Sequence, residues 1–365
     1  MKLVMVSETS SVGSGYTHIS INIAKEIVRR GHELTVLGIG YKREPHPFPF
    51  AICPIDQSDW VRQVFVFLNN MKQVGYEHVL VGLDVPQLRL VLDQCRDIPA
   101  PFSGIFPIEA TPISRATTMT LMRLKNRFVI SKFGTEAVRD QKIDADCLVI
   151  PVDTDAWKTP TLEEKKQLRA SFGFKESDKI VLTVADNQER KNLSASMEII
   201  SRMPEDVQYV LVTRMDSPVG WDLSALAEHY GIERRTMLLH RDLPFQRLWA
   251  LYAIADAFLI TSKAEGLGIP VLEAMSVGVP VVAPKHTAFA EHLIDGRGYL
   301  FQNAYQYIDP FENQHRYFTD VDEGVLALHT ALYLRSEKQI ALAREYVAKR
   351  SWENVGEVIC NRLTS

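Results

Sequence analysis

Thr261-Ser262-Lys263-Ala264-Glu265-Gly266-Leu267-Gly268-Ile269-Pro270-Val271-Leu272-Glu273-Ala274-Met275 follows directly on the apolar run Ala257-Phe258-Leu259-Ile260. A short, continuously apolar run of this kind reads as a strand buried on both faces. Gly266 and Gly268 let the backbone approach a ligand closely. Pro270 suits the first turn of a helix, where its missing N–H costs nothing, and Gly278 suits the stop. The order is therefore strand, glycine loop, helix start. The first amides of such a helix have no internal acceptors, and that end carries about half a positive charge, so it favours an anion such as a diphosphate. Glu265 falls in the loop and Glu273 early in the helix. Two carboxylates beside an anion site read as acceptors for neutral hydroxyls. Sugar and ribose hydroxyls are donors of this kind, and a carboxylate accepts two of them through strong charge-assisted bonds.

Outward from this segment, apolar runs alternate with amphipathic helical patterns. In the first half the expected strands are residues 3–6, 34–37, 78–83, 102–108, 128–130 and 148–150, with helices such as 19–29, 61–72 and 87–95. In the second half they are residues 180–185, 209–213, 237–239, 257–260, 279–283 and 299–301. Strand–helix alternation implies right-handed βαβ units and doubly wound parallel sheets. The chain's 365 residues exceed what one core serves, about 250–300 residues, so two domains are expected. A polar stretch, 153–179, separates the halves. The expected organisation is an α/β chain of two Rossmann-like domains facing a central cleft, with boundaries at 1–155 and 156–350. The tail, 337–363, reads as two helices joined near Ser351-Trp352, and residues 351–365 are expected to pack back on the first domain. Ligands of such sheets sit beyond the carboxyl ends of the strands.

The run from Glu265 to Ala274 resembles the glutamate–seven residues–glutamate signature of the retaining GT-B glycosyltransferases of family 4. The resemblance implies that Glu265 contacts hydroxyls of the transferred sugar and that Glu273 holds the nucleotide's ribose. It also implies that Gly266, Leu267, Gly268 and Ile269 line the sugar-diphosphate site. A second cluster, Ala185-Asp186-Asn187-Gln188-Glu189-Arg190-Lys191-Asn192, follows the strand at 180–185. Its Arg190 and Lys191 match the family's cationic diphosphate clamp. Asp186 departs from the family, which often carries an arginine there; a carboxylate at that place repels a diphosphate unless it turns away or binds a cation.

The first domain matches more loosely. The loop after the first strand holds Gly13, Ser14, Gly15 and Tyr16, which resemble the family's glycine loop closing over donor phosphate and acceptor; Gly15 and Tyr16 are assigned to donor binding. It is not a dinucleotide fingerprint, because His18 stands where a third glycine belongs. Arg30-Gly31-His32 resembles the family's entry into its second strand, with His32 structural. Glu109, after the strand at 102–108, occupies the place where family members carry a histidine or aspartate facing the donor sugar. His240 and Arg241 follow the strand at 237–239, and Arg241 is expected to reach the nucleotide.

Net charge is −4, which gives no global attraction for nucleic acid. Cys53, Cys95, Cys147 and Cys360 form no CxxC pair, which fits reduced thiols and a cytoplasmic setting. The longest apolar stretch, 248–260, is interrupted by Asp256 and falls short of the roughly 20 residues that a membrane span needs. Residues 115–127 set Arg115, Arg123, Lys125 and Arg127 around Met119, Leu121, Met122 and Leu124, a pattern compatible with peripheral contact to anionic lipid as well as with a surface helix. No metal site is expected and no cofactor is required; the donor substrate is expected to be a UDP- or GDP-sugar, the acceptor a hydroxyl on a glycan, lipid or small molecule. The Asp-x-Asp triplets at 144–146, 153–155 and 320–322 raise the alternative of a metal-dependent GT-A transferase. A nucleotide-sugar epimerase and a non-catalytic nucleotide-sugar-binding protein are further alternatives. The first makes free epimerised sugar; the second turns over no donor.

Overall fold

The computed structural model of the chain describes residues 1–9, 15–73, 75–215 and 217–364. The chain divides into two compact units. The first holds residues 1–150, 311–314 and 351 onward, and the second holds 151–310 and 315–350.

The first unit is built on seven parallel strands: β1 (Lys2–Glu8), β2 (Glu33–Ile39), β3 (Ala51–Ile55), β4 (His78–Gly82), β5 (Phe102–Phe106), β6 (Arg127–Val129) and β7 (Asp146–Cys147), in the order β3-β2-β1-β4-β5-β6-β7. Val4 lies opposite both Thr35 in β2 and Val79 in β4, so β1 is central, and Val4, Val79 and Val81 are wholly buried. Its helices are α1 (Gly15–Arg29), α2 (Trp60–Met71), α3 (Val85–Gln94), α4 (Arg115–Met122) and α5 (Lys132–Asp140). Ser114 and Ser131 cap α4 and α5 by accepting the Thr117 and Gly134 amides, which satisfies one orphan donor at each helix start. In α4, Met119 and Met122 are exposed, but two of the nearby cations are engaged by the protein itself. Arg123 pairs with Asp93 at 2.6 Å, and Arg127 donates to the carbonyls of Leu121, Leu124, Lys125 and Asp144.

The second unit repeats the scheme with six parallel strands: β8 (Lys179–Val184), β9 (Val207–Thr213), β10 (Thr236–His240), β11 (Ala257–Leu259), β12 (Val281–Pro284) and β13 (Tyr299–Phe301), ordered β10-β9-β8-β11-β12-β13. Around them lie α6 (Leu162–Ser171), α7 (Leu193–Ser201), α8 (Leu223–His229), α9 (Phe245–Ile254), α10 (Ile269–Val277), α11 (Thr287–Leu293), α12 (Val321–Tyr333) and α13 (Glu337–Ala348). Asp256, the charge that interrupts the apolar stretch 248–260, is held by Lys165 at 3.1 Å and by Arg169 of α6, and it accepts the Ile180 amide at 2.9 Å. A hairpin of β14 (Asn303–Asp309) and β15 (Gln314–Thr319) follows β13. The final helix, α14 (Trp352–Thr364), belongs to the first unit. There Arg29 pairs with Glu353 at 3.1 Å and Arg362 with Asp146 at 2.7 Å, while Gly356 lets the Glu26 side chain approach its backbone.

In both sheets the strand order reverses once, between β1 and β4 and between β8 and β11. The reversal opens a crevice at the carboxyl ends of those two strands, the place where open α/β sheets take ligands. In the second unit the two loops entering that crevice are the segment after β8, with Asp186 to Lys191, and the segment after β11, with Thr261 to Gly268.

Three elements differ from the sequence reading. β3 was not anticipated, because its Pro54 and half-exposed residues break the apolar pattern. It is an edge strand, where a missing ladder donor is tolerated. The strand expected at 148–150 is confined to Asp146–Cys147: Leu148 still donates to Val129 at 2.7 Å, but the chain then leaves the sheet edge toward Pro151. The hairpin β14–β15 was not anticipated either; its mixture of polar and aromatic residues has no continuous apolar run.

Candidate active site

The loop 261–268 is buried throughout. Gly268 ends it in the left-handed region, φ 76°, and starts α10; Pro270 sits in the first turn and Gly278 closes the helix, again left-handed. A side chain at 268 would meet both the positive φ and the Phe289 ring, 3.2 Å from an added Cβ, so glycine is required there. α11 supports the loop from the side. Thr287 Oγ1 accepts the Glu265 amide at 3.1 Å, and the Ala288 amide donates to the Glu265 carbonyl at 3.2 Å. His292 Nε2 donates to the Leu267 carbonyl at 2.8 Å; burial pushes its imidazole down to about 3, so it is neutral.

Glu265 is 6% exposed, a depth at which an unpaired carboxylate is untenable. Its Oε1 is paired with Lys191, lies 3.3 Å from Arg190 and accepts Ser262 Oγ at 3.0 Å. Burial pushes this carboxyl upward, but Lys191 and Arg190 outweigh it and hold the group at about 2. Oε2 has no partner among the described residues. The cation pair is itself braced: Arg190 donates to the Ala264 carbonyl at 2.7 Å, and the Lys263 amide donates to the Arg190 carbonyl at 2.8 Å. Lys263 pairs with Glu189 and lies 4.3 Å from the centre of the Phe318 ring in β15. The turn Glu189–Lys191 is one 3₁₀ turn, and Asn192, left-handed at φ 51°, leads from it into α7.

Glu273, half-buried in α10, is placed differently. Its Oε2 accepts the Tyr252 hydroxyl at 2.7 Å, and Oε1 has no partner among the described residues. Burial raises this carboxyl to about 7 against the smaller opposing effect of the Tyr252 bond. One acid of the pair is thus permanently ionised and the other titrates near neutrality. Each has one oxygen held by the protein and one left over.

Asp186 does not stand alone. Arg241, just beyond β10, pairs with its Oδ1, and Arg214, just beyond β9, lies 3.9 Å away. The carboxylate that departs from the family pattern is therefore covered by two cations at the carboxyl ends of neighbouring strands. Arg241 sits where the sequence placed it, but against Asp186. Asn187, wholly buried, exchanges two hydrogen bonds with the Trp221 backbone, at 2.8 and 2.9 Å, and fixes this loop.

The remaining candidates lie in the first unit. Gly13 and Ser14 fall outside the described residues. Gly15 begins α1, and the Tyr16 hydroxyl donates to Asp84, at the start of α3. Burial, then Asp84, then Glu109 and Glu8 push that phenol well above its ordinary value, which places Glu109 in the same neighbourhood. His32 lies 3.3 Å from the amino terminus and burial lowers it, in keeping with a structural part. The Asp-x-Asp triplets have other work. Asp144 and Asp146 hold Arg362, Asp153 closes a turn on the Asp155 and Ala156 amides, and Asp320 caps α12 while Asp322 pairs with Arg202.

Sequence reasoning did not find Ser262, Thr287, His292, Tyr252 or Arg214. Ser262 adjoins Glu265 and was legible as a local partner. The other four come from elements distant in sequence, and only the sheet order brings them together.

Residues 164–309 match the family model described as "Glycosyl transferases group 1". Over 144 residues the chain is 31% identical to the serotype-specific mannosyltransferase WbdA of Escherichia coli, covering 38% of this chain and 17% of that protein. It is 27% identical over 135 residues to the N-acetyl-alpha-D-glucosaminyl L-malate synthase of Bacillus anthracis, covering 37% of this chain and 35% of the relative. The match thus spans about a third or less of those relatives' length. Anabaena HepE, solved in complex with UDP and glucose, superposes with a TM-score of 0.75 at 16% identity, over 100% of this chain and 99% of that one. The family match is confined to residues 164–309 of the second unit, and the chain carries the GT-B fold.

Proposed function

We propose that this chain is a retaining glycosyltransferase that moves a hexose from a nucleotide-diphosphate sugar, UDP- or GDP-linked, to an acceptor hydroxyl. The observation that carries the reading is that Glu265, in the loop entering the β8–β11 crevice, and Glu273, in the helix that follows this loop, each have one oxygen anchored by protein and one without a partner among the described residues. Neutral hydroxyls of a sugar and a ribose satisfy such oxygens. The diphosphate lies across the start of α10, where the first amides and the helix dipole meet it. Arg190 and Lys191 stabilise the charge that develops as the bond from the anomeric carbon to the phosphate oxygen breaks; one preorganised donor of this kind is worth about 3–4 kcal/mol in a transition state. Glu265, kept ionised by the same two cations, orients the oxocarbenium-like sugar. The acceptor hydroxyl attacks from the face the phosphate leaves, and its proton passes to the departing phosphate oxygen, so retention needs no protein nucleophile. Glu109, Gly15 and Tyr16 are assigned to the sugar and phosphate side of the first unit, and no metal is required. Among the described residues no helix is long and apolar enough to cross a membrane; any membrane contact is assigned to the exposed methionines of α4.

The test is incubation with UDP- and GDP-hexoses, with and without candidate acceptors, following free nucleotide and the anomeric configuration of the product. Nucleotide release that depends on acceptor and gives an α-linked product from an α-linked donor is expected. Inverted product refutes retention. Binding without turnover would identify a sensor, and free epimerised sugar an epimerase. Saturating donor at a hundredfold over its Kd should also stabilise the protein by about 2.7 kcal/mol.

A further inference from the structure

Tyr252 is a fully buried side chain of α9. Its ring stacks on Phe258 of β11, centres 5.7 Å apart and planes 10° from parallel, and it receives the edge of Trp157 at 5.1 Å. Those two contacts leave the ring no freedom to turn, so the hydroxyl points in one direction. A buried tyrosine hydroxyl must find an acceptor, and a backbone carbonyl usually serves. Here it donates to Glu273 Oε2, on the next helix, at 2.7 Å. Burial and the neighbouring carboxylate keep the phenol protonated, so it is a donor throughout the working pH range.

We propose that Tyr252 is a positioning residue of the nucleotide site: its hydroxyl fixes Glu273 Oε2, aims Oε1 at the ribose and favours the ionised carboxylate that the ribose hydroxyls require. The proposal rests on the reading of Glu273 as the ribose acceptor. A protonated carboxyl offers one acceptor oxygen fewer and competes as a donor, so ribose binding needs the carboxylate. Burial works against that form, and the Tyr252 bond works for it. On the elements packed against α10, namely α9, β12 and α13, the titratable group acting on Glu273 among the described residues is the Tyr252 phenol. Removing only the oxygen, as in Tyr252→Phe, keeps both ring contacts and leaves burial unopposed.

The experiment measures Kd for UDP and for GDP by titration calorimetry from pH 6 to pH 9 for the wild type, Tyr252→Phe and Glu273→Gln. In the wild type, affinity for the nucleotide that binds should rise with pH through neutrality. In Tyr252→Phe it should fall about fivefold to tenfold at pH 7, with the midpoint of the rise displaced upward by about one unit and affinity recovered near pH 9. Glu273→Gln should bind weakly with no such rise. A merely structural tyrosine would lower thermal stability and leave the midpoint in place; that result overturns the proposal while the ribose reading stands. Wild-type affinity in Glu273→Gln, or no binding of either nucleotide by the wild type, overturns the ribose reading and the proposal with it.

Discussion

Replacing Lys191 by methionine removes the charge that faces Glu265 and keeps most of the side-chain volume. Glu265 has an ordinary carboxyl value of 4.5 and is held at about 2 in the folded chain. A difference of that size corresponds to about 3 kcal/mol at neutral pH. Its sign is that of a depressed group: the stabilisation is fully present above pH 4.5 and is lost as pH falls toward 2. Removing one member of a buried pair commonly costs about 3–5 kcal/mol, because a charge is stranded. Arg190 at 3.3 Å and Ser262 at 3.0 Å remain, so the loss in Lys191→Met belongs at the low end, about 3 kcal/mol at pH 7. Urea unfolding in a Trp60→Phe/Trp352→Phe background lets Trp157, Trp221 and Trp249 report on the second unit alone. The gap between variant and parent should narrow as pH is lowered from 4.5, since a protonated Glu265 needs no partner. Glu265→Gln/Lys191→Met should regain most of the stability. Transferase activity should fall about a hundredfold or more in Lys191→Met and should not return in the double variant, because the transition-state cation is still missing. A stability loss under about 1 kcal/mol that is flat across pH, or activity recovered in the double variant, refutes the assignment of Lys191 as both counter-ion and clamp.

Glu273→Gln should change the pH profile in the opposite sense. Its raised group stabilises the fold fully below pH 4.5 and loses that stabilisation as pH rises to about 7, so the variant should remove a loss of about 2–3 kcal/mol across that window, read from urea midpoints. Donor KM should rise in the same variant, and an unchanged KM counts against the ribose role. Gly268→Ala should cost about 1–2 kcal/mol from the left-handed backbone alone, with a further loss from the Phe289 contact, measured by thermal unfolding. Asp186→Asn should free Arg241 and Arg214 from their carboxylate and change donor affinity while the melting temperature shifts little. Identical KM and kcat would show that the Asp186 cluster lies apart from the donor.

The strand–loop–helix of the second unit was legible because its signals are local. An apolar run, two glycines, a proline and a closing glycine each act within a few residues, and the helix ends at Gly278 as those residues dictate. The charged turn at Arg190 and Lys191 was legible for the same reason, as cations following a strand, but their pairing with Glu265 was not. Tyr252, Thr287 and His292 were not. Their sequence surroundings describe amphipathic helices, and nothing in a helical period tells a hydroxyl that caps a carboxylate from one that caps a carbonyl. Arg214 and Asp186 meet because β8 and β9 are neighbours, a fact of sheet order. The hairpin β14–β15 escaped because Asn303–Asp309 and Gln314–Thr319 mix polar and aromatic residues and offer no continuous apolar run.

The two glutamates have the same side chain, stand eight positions apart on one loop and helix, and are driven to opposite protonation behaviour. Glu265 is the more deeply buried, and burial alone would neutralise it; the fold instead spends two cations and a serine on it. Glu273 receives a phenol and no cation, and burial prevails. If both acids served only to hold the fold, pairing the deeper one and leaving the shallower one to protonate would be a costly arrangement with no return, since an apolar pair of equal volume satisfies the same space. On the proposed function the sugar needs a carboxylate that never changes charge during bond cleavage, and the two cations that keep it ionised also face the departing phosphate. The ribose takes no part in the reaction and can be held by an acid whose charge is completed on binding. On that account nucleotide binding releases a proton near neutral pH, and the release should disappear in Glu273→Gln and persist in Glu265→Gln. Calorimetry in buffers of differing ionisation enthalpy measures it directly, and equal proton release from both variants would separate the two acids from the roles their surroundings give them.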